Sequence, residues 1–148
     1  MENKIYSING PVVTIKGKTD LEMMEMVYVG KKRLIGEVIR VQSDFTTIQV
    51  YEGTTGLMPD EPVISTGAPM SATLGPGIIN NIFDGIERPL KKLEEVSGAF
   101  IADGADVSSL DTEKKYPVTM TVKTGDKLFA GDIYCTCPET PLITHKCM

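Results

Sequence analysis

Apolar and polar residues alternate with a period of two through much of the first 66 residues. In FTTIQVY (45–51), for example, Ile48 and Val50 share one face and polar residues occupy the other, as in a half-buried strand. Comparable short runs surround Val13 and Ile15 and occupy 24–29, 33–42 and 62–65. Five or six short strands at this spacing predict a small closed β-barrel over residues 1–66, because closure removes unpaired strand edges.

The apolar pattern changes to a helical period over residues 77–98. A first short helix is predicted to end at Gly85, and a second to begin at Pro89 and end at Gly98. The apolar stripe of the first consists of Ile78, Ile79, Ile82 and Phe83, and the buried side of the second of Leu90, Leu93 and Val96. Residues 67–110 are therefore predicted to be a connecting segment with short helices.

The period returns to two from residue 116 onward. Gly125-Asp126 and Gly131-Asp132 predict turns, and IYCTC (133–137) predicts a strand. One face of a further strand is predicted to carry Tyr116, Val118, Met120 and Val122. The fold class is thus mainly β, with a second β-rich region starting at 111 and running to 148.

The chain has 148 residues and a formal net charge of −5. This acidity argues against nucleic acid as the main partner, since phosphate binding needs positive charge. The densest basic run, Lys31-Lys32-Arg33, is predicted to be an exposed hairpin turn. No stretch approaches the roughly 18 apolar residues of a membrane helix, and the N-terminus lacks a signal peptide's apolar core, so a cytoplasmic chain without direct membrane insertion is expected.

Three cysteines and the single histidine lie near the end of the sequence. Cys135, Cys137, His145 and Cys147 offer four ligands of the kind that zinc prefers, but C-x-C followed by H-x-C is not a common zinc spacing. On a strand, Cys135 and Cys137 would share one face with Ile133 and pack as small buried groups. Free thiols are the favoured interpretation, since cytosolic chains rarely use disulfides.

Two glycine-containing segments are candidates for phosphate-binding loops. Gly17-Lys18-Thr19 matches the end of a P-loop, but position 12 is valine and no helical pattern follows. Gly75-Pro76-Gly77 precedes a predicted helix, but it lacks a third glycine and Pro76 has no N–H group. A turn that aims a short helix is the prediction for the second segment.

A complete active site is not evident from residue types and spacing. His145 has no serine or cysteine partner that spacing identifies as a nucleophile. Carboxylates lie in turn-like segments, where such side chains commonly cap backbone N–H groups: Asp60, Glu61, Asp84 and Glu87. No catalytic, cofactor-binding or metal-binding residue is therefore predicted in this chain.

The longest distinctive run is VYEGTTGLMPDEPVISTGAPMSATLGPGIINNIFDGIERPL (50–90). Shorter matching motifs lie on both sides of it, at 9–11, 34–40, 122–123, 125–127, 131–133, 138–141 and 145–146. Together these motifs resemble the N-terminal region of the catalytic A subunit of V-type, or archaeal-type, rotary ATPases over nearly the whole chain. The central motif is long, which makes the resemblance specific.

The resemblance implies three parts: a β-barrel at 1–66, a connecting segment at 67–110 beside a nucleotide-binding domain, and an incomplete β-rich insertion domain at 111–148. In that family the P-loop and the catalytic carboxylate lie beyond the insertion. The sequence is accordingly expected to be an N-terminal piece that is inactive by itself.

The resemblance also implies what the parent subunit does. It would make or hydrolyse ATP, with ATP or ADP and Mg as its ligands, and couple this reaction to proton or sodium transport across a membrane. It would alternate with B subunits in a ring, contact central and peripheral stalk subunits, and lie in the cytoplasm, peripheral to the membrane. The barrel would hold the ring closed.

The sequence departs from the family's pattern at a few positions. Cys135, Cys137 and Cys147 replace small or apolar residues, so a metal site would be peculiar to this chain. Asp103-Gly104 stands where the family commonly has Arg-Gly, which puts one local contact in doubt.

A self-contained carrier or binding barrel is the alternative. The stretch 123–139 resembles the Gly-Asp turns of biotinyl and lipoyl barrels. Those carriers attach their cofactor to a lysine in a Met-Lys-Met or Asp-Lys-Ala hairpin, and neither hairpin occurs here.

Overall fold

The computed structural model describes residues 3–79, 81–98, 100–105 and 107–148. The chain divides into two compact units. The first unit comprises Met1–Ser71 and Val96–Asp106, and the second comprises Ala72–Glu95 and Val107–Met148. Among the described residues, no helix has the length and apolar character needed to cross a membrane.

Six antiparallel strands form a closed barrel in the first unit, in the order β1-β2-β5-β4-β3-β6. The strands are β1 (Asn3–Asn9), β2 (Val12–Lys16), β3 (Glu25–Val29), β4 (Leu34–Val41), β5 (Phe45–Val50) and β6 (Pro62–Pro69). Strand β6 pairs with both β1 and β3, which closes the sheet. The predicted N-terminal β-barrel is therefore confirmed.

The barrel forms because alternate residues of its strands are apolar and face inward. In β3, Val27 and Val29 are fully buried, whereas the alternating residues Met26 and Tyr28 are only partly buried. The core contains Ile5, Val13, Ile15, Leu21, Val27, Val29, Leu34, Val38, Ile48, Val50, Leu57 and Val63. These side chains provide the apolar burial that stabilises the first unit.

The basic run at 31–33 lies in the exposed turn that joins β3 to β4, as predicted. Gly30 opens the turn with a φ of 74°, a left-handed value that glycine adopts readily. Lys32 Nζ lies 3.3 Å from Asp103 Oδ2 and donates to the Thr55 carbonyl at 3.2 Å. The residue that departs from the family's pattern, Asp103, thus pairs with a lysine of the same unit.

The second predicted helix is present as α1 (Leu90–Ser97), and Gly98 follows it with a φ of 71°. Its predicted buried side is only partly correct. Leu93 is 2% exposed, but Leu90 is 37% and Val96 is 72% exposed. The helix is too short and too polar to bury three apolar residues within the described structure.

The first predicted helix, at 77–84, is wrong. Residues 82–90 instead form a tight hairpin-like loop, in which Phe83 bridges to Pro89 and the Leu90 N–H donates to the Ile82 carbonyl at 2.9 Å. The Asp84 N–H closes the loop by donating to the Arg88 carbonyl at 3.1 Å. Gly85 therefore lies in a turn and does not end a helix. Asn80, which falls within the first predicted helix, lies outside the described residues.

A three-stranded antiparallel sheet lies in the second unit, in the order β7-β8-β9. Its strands are β7 (Thr119–Met120), β8 (Cys135–Pro138) and β9 (Thr144–Cys147). The long strand predicted from residue 116 is reduced to the two residues of β7, and Val118 and Met120 are more than half exposed. The strand predicted at 133–137 is present but begins at Cys135, and Ile133 is 37% exposed rather than buried with the cysteines.

Candidate functional site

An aromatic patch lies on the outer surface of the barrel and consists of Tyr6, Lys16 and Phe45. The Tyr6 and Phe45 rings are 6.0 Å apart, and Lys16 Nζ lies 5.1 Å from the centre of the Tyr6 ring. Tyr6 is 52% exposed and Phe45 is 36% exposed. Exposed aromatic rings with a nearby cation are typical of protein-binding surfaces, since aromatic residues are enriched in interfaces.

Strand pairing explains how three residues distant in sequence form this patch. Ile5 faces the core, so its neighbour Tyr6 must face outward. Lys16 pairs directly with Phe45 where β2 ends and β5 begins, which places their side chains on the same face. The patch is therefore fixed by the barrel's register.

A buried carboxylate, Glu25, links two strands of the barrel. It accepts hydrogen bonds from the Glu22 N–H at 2.8 Å, the Gly67 N–H at 3.1 Å and the Ser65 hydroxyl. Burial acts to raise the pKa of Glu25, but these hydrogen bonds outweigh it and hold the pKa below its ordinary value. The arrangement favours an ionised, structural carboxylate, because all three hydrogen bonds stabilise the charged form.

The segment Gly17-Lys18-Thr19 lies in the loop between β2 and β3, without the strand–loop–helix setting of a P-loop. The Gly17 N–H donates to the Asp44 carbonyl at 2.7 Å, and the Thr19 and Thr46 hydroxyls are 2.9 Å apart. These contacts tie the loop to the barrel strands.

The segment Gly75-Pro76-Gly77 does bind an anionic group, but this group belongs to the protein itself. The N–H groups of Gly77 and Ile79 donate to Glu139 Oε1 at 2.7 and 3.2 Å. The Glu139 side chain is 4% exposed, and its Oε2 lies 3.9 Å from His145 Nδ1. The predicted turn is therefore confirmed, although it holds a carboxylate instead of leading into a helix.

Three of the four carboxylates predicted to act as caps, Glu61, Asp84 and Glu87, accept hydrogen bonds from backbone N–H groups. Asp84 Oδ1 accepts from the N–H groups of Ile86 and Arg88 at 3.1 and 2.9 Å, and Arg88 Nε lies 2.8 Å from Asp84 Oδ2. Burial acts to raise the pKa of Asp84, but the hydrogen bonds and the charge of Arg88 hold it below the ordinary value. Glu61 accepts from the Lys31 N–H at 3.3 Å, and Glu87 accepts from the Thr73 N–H at 2.9 Å.

The three cysteines are free thiols, as predicted. Cys135 pairs with Cys147 across β8 and β9, and Cys137 pairs with His145, so all four side chains fall on one face of this hairpin. Nevertheless, the part of the chain that the structure describes contains no group of three or more His, Cys, Asp or Glu side chains that could hold a metal ion. The expectation that metal-binding residues are lacking stays a prediction.

A cavity of about 520 Å³ in the second unit is lined by charges of both signs. Lys92 Nζ donates to the carbonyls of Ser108 and Leu110 at 3.1 and 3.2 Å, and Lys114 Nζ lies 4.9 Å from the centre of the Tyr116 ring. Because Lys92 and Lys114 already contact the protein and acidic side chains share the cavity, the lining does not favour a phosphate over other ligands.

Sequence reasoning missed the contact of Glu139 with the 75–79 turn and the pairing of Asp84 with Arg88. The Asp84–Arg88 pairing had a signal in the sequence, since Asp-Gly is a common turn dipeptide and Arg88 follows four residues after Asp84. The first had none, because more than 60 residues separate the partners along the chain.

Two family descriptions match the chain. Residues 5–67 match the family described as "ATP synthase alpha/beta family, beta-barrel domain", and residues 107–148 match "ATPsynthase alpha/beta subunit barrel-sandwich domain". The first range covers all but the outermost residues of the six-stranded barrel, and the second covers the three-stranded sheet.

Curated relatives match nearly the whole chain. The V-type ATP synthase alpha chain 2 of Clostridium tetani is 53% identical over 144 residues, which is 97% of this chain and 24% of the relative. The V-type ATP synthase alpha chain of Halothermothrix orenii is 49% identical, over 99% of this chain and 25% of the relative. The V-type ATP synthase alpha chain of Acetivibrio thermocellus is also 49% identical, over 99% of this chain and 25% of the relative. The chain thus spans about a quarter of the length of these relatives.

Proposed function

The chain belongs to the ATP synthase alpha/beta family, and from this premise we propose that it is the ring-forming scaffold of a V-type catalytic A subunit. The parent subunit makes or hydrolyses ATP, with Mg as the metal that accompanies the nucleotide. It couples this reaction to transport of protons or sodium ions across a membrane. In the assembled complex the chain lies on the cytoplasmic side and reaches the membrane only through other subunits.

The observation that carries the proposal is the closed barrel, which coincides with the region that matches the family's β-barrel domain. A closed sheet has no free edge, and its packed core resists deformation. Such a unit can stay unchanged while neighbouring domains open and close around nucleotide. The barrel is therefore suited to hold adjacent subunits side by side in a ring.

The aromatic patch of Tyr6, Lys16 and Phe45 is the surface through which the barrel contacts the barrel of a neighbouring B subunit. Support comes from the exposure of its two rings and from the rigid strand register that presents them. Aromatic anchors on a rigid element lose little conformational entropy on binding. Central and peripheral stalk subunits are further partners of the parent complex.

Photo-crosslinking tests this contact. A photoreactive phenylalanine at Tyr6, in the chain co-expressed with the B subunit of the same complex, is expected to crosslink to that subunit. Tyr51 offers a matched control, because it is 45% exposed and follows the other end of β5, about 20 Å from Phe45. Crosslinking from Tyr51 but not from Tyr6 would place the interface elsewhere on the barrel.

The chain alone is expected neither to bind ATP tightly nor to hydrolyse it. The two phosphate-loop candidates already direct N–H groups at the protein's own acceptors, Asp44 and Glu139. Titration calorimetry with Mg·ATP checks this, and micromolar affinity would contradict it. The self-contained carrier barrel is not supported, since the curated relatives are ATP synthase chains.

A further inference from the structure

Cys135 and Cys147 occupy directly opposite positions in the antiparallel pairing of β8 and β9. Side chains at such positions project from the same face, and their Cα atoms are about 4.5–5.5 Å apart. A disulfide bond requires Cα atoms about 4.4–6.8 Å apart. The register therefore brings these two thiols to a separation at which they can be joined with little backbone movement.

Cys137 is not positioned to form a disulfide bond with Cys147. Cys137 lies opposite His145, which makes it a diagonal neighbour of Cys147. Diagonal neighbours are about 7–8 Å apart, and Cα atoms more than about 7 Å apart cannot be bridged without backbone movement. Of the two possible partners of Cys147, the geometry thus selects Cys135.

The two members of the pair differ in access to solvent. Cys147 is half-buried and lines a surface cavity of about 410 Å³ together with His145 and Lys146. Cys135 is 4% exposed and Cys137 is fully buried. A small reagent that enters the cavity therefore meets Cys147, whereas Cys135 is not among the residues that line it.

The raised pKa values of the two buried thiols support an order in which Cys147 reacts before Cys135. The neighbouring Cys147 thiol, and then burial, raise the pKa of Cys135, while burial is the main cause that raises the pKa of Cys137. Because the thiolate is the nucleophile, neither buried cysteine is suited to begin an exchange reaction.

We propose that Cys135 and Cys147 form a site of reversible disulfide exchange with low-molecular-weight disulfides of the glutathione type. Cys147 gives its proton to solvent, and its thiolate attacks one sulfur of the external disulfide. That S–S bond breaks, a first glutathione thiolate leaves, and a mixed disulfide remains on Cys147. Cys135 then loses its proton and attacks the Cys147 sulfur, which releases a second glutathione. Overall, two protein thiols are oxidised and one external disulfide is reduced to two thiols.

The bond would join β8 to β9, whose pairing forms most of the small sheet in the second unit. It would thereby restrict opening of this hairpin in oxidising conditions and release it in reducing ones. This inference concerns the chain's own thiols and does not depend on the proposed ring function.

Thiol trapping and peptide mapping test the proposal. The 148-residue chain is equilibrated with oxidised glutathione, quenched with an alkylating reagent and digested. We expect two of the three thiols to become protected from alkylation. Before alkylation the intact chain should be about 2 Da lighter, and the digest should contain a peptide pair in which a disulfide joins Cys135 to Cys147. Reduced glutathione in excess should restore all three alkylatable thiols.

Single substitutions separate the two steps. Cys137→Ser should behave like the wild type, and Cys135→Ser should stop at a stable glutathione adduct on Cys147. A Cys137–Cys147 link, a disulfide-linked dimer, or wild-type protein that keeps glutathione on Cys147 would overturn the proposal. The wild-type and Cys137→Ser maps decide the matter even if the Cys135 variant fails to fold.

Discussion

At the scale of single residues, Gly36 shows how closely the barrel's interior is packed. It lies on the inward face of β4, where an added Cβ atom would stand 2.9 Å from Ile48 Cγ2 and 3.0 Å from the Gln49 carbonyl oxygen. Gly36→Ala is expected to lower the free energy of unfolding by about 1–3 kcal/mol, because the interior cannot expand without moving backbone. Chemical denaturation of the purified variant measures the change.

Gly53→Ala is the matched control for this prediction. Gly53 belongs to the same unit, and its added Cβ atom would come no closer than 3.4 Å to Asp103 Oδ1, an ordinary contact distance. Its free energy of unfolding should stay within about 0.5 kcal/mol of the wild type. Equal destabilisation by both substitutions would contradict the account of a tightly filled barrel.

Glu25 is expected to contribute pH-dependent stability to the barrel. Its pKa is lower in the folded state than its ordinary value of 4.5, so the folded state favours the ionised form. The contribution is therefore fully present above about pH 4.5 and is lost as the pH falls through the lower, folded-state pKa. Glu25→Gln should lower the free energy of unfolding by about 1–3 kcal/mol at neutral pH. It should also make this free energy less dependent on pH in the acidic range.

Denaturation midpoints between neutral and acidic pH check this expectation. Glu22→Gln is the control, since the Glu22 side chain is exposed whereas Glu25 is 5% exposed. If Glu25→Gln leaves the pH dependence of the midpoint unchanged in the acidic range, other carboxylates control acid unfolding.

At the scale of elements, the loop 82–90 explains why one predicted helix does not form. The apolar spacing of Ile78, Ile79, Ile82 and Phe83 fits a helical stripe, and periodicity alone cannot distinguish this from a hairpin. Asp84-Gly85 instead forms a turn. The Asp84 carboxylate accepts hydrogen bonds from the N–H groups of Ile86 and Arg88, which in a helix would donate to backbone carbonyls. Local side-chain hydrogen bonds thus outweighed the apolar pattern.

Asp84→Ala is expected to open this loop. It removes the acceptor for the N–H groups of Ile86 and Arg88 and one partner of the Arg88 guanidinium. Loss of such hydrogen bonds costs about 1–3 kcal/mol, which corresponds to amide exchange at Leu90 that is about 5- to 150-fold faster. Hydrogen–deuterium exchange measures the rate.

Asp132→Ala serves as the comparison, because Asp132 accepts from the Phe129 N–H at 2.8 Å in a separate turn of the same unit. Exchange at Leu90 should be unaffected by this second change. Should both variants accelerate it equally, the loop would depend on the unit as a whole and not on Asp84.

Strands β2, β3 and β5 could be predicted from sequence because alternate residues are buried, which gives a clear period of two. The same signal failed from residue 116 onward, where Val118 and Met120 alternate with polar residues but are both exposed. In strand β9, polar Thr144 and Lys146 alternate with His145 and Cys147, so the strand offers little apolar signal. Its pairing with β8 is a tertiary effect.

At the scale of the whole molecule, the first unit has a continuous apolar core, whereas the described residues of the second unit bury few apolar side chains. Leu74, Ile82, Phe129 and Leu142 of the second unit are each more than 70% exposed. The chain's relatives are about four times as long. The candidate interface on the barrel could not be predicted from sequence, because Tyr6, Lys16 and Phe45 meet only through the barrel's register.

Competition during ring assembly tests most directly whether this chain acts as a scaffold. The parent A and B subunits are reassembled with increasing amounts of the 148-residue chain, and native mass spectrometry measures the yield of complete rings. The account predicts that the chain binds B subunits and lowers the ring yield in proportion to its concentration, while Tyr6→Glu weakens this effect. Ring yield that is unaffected by an excess of the folded chain would contradict it.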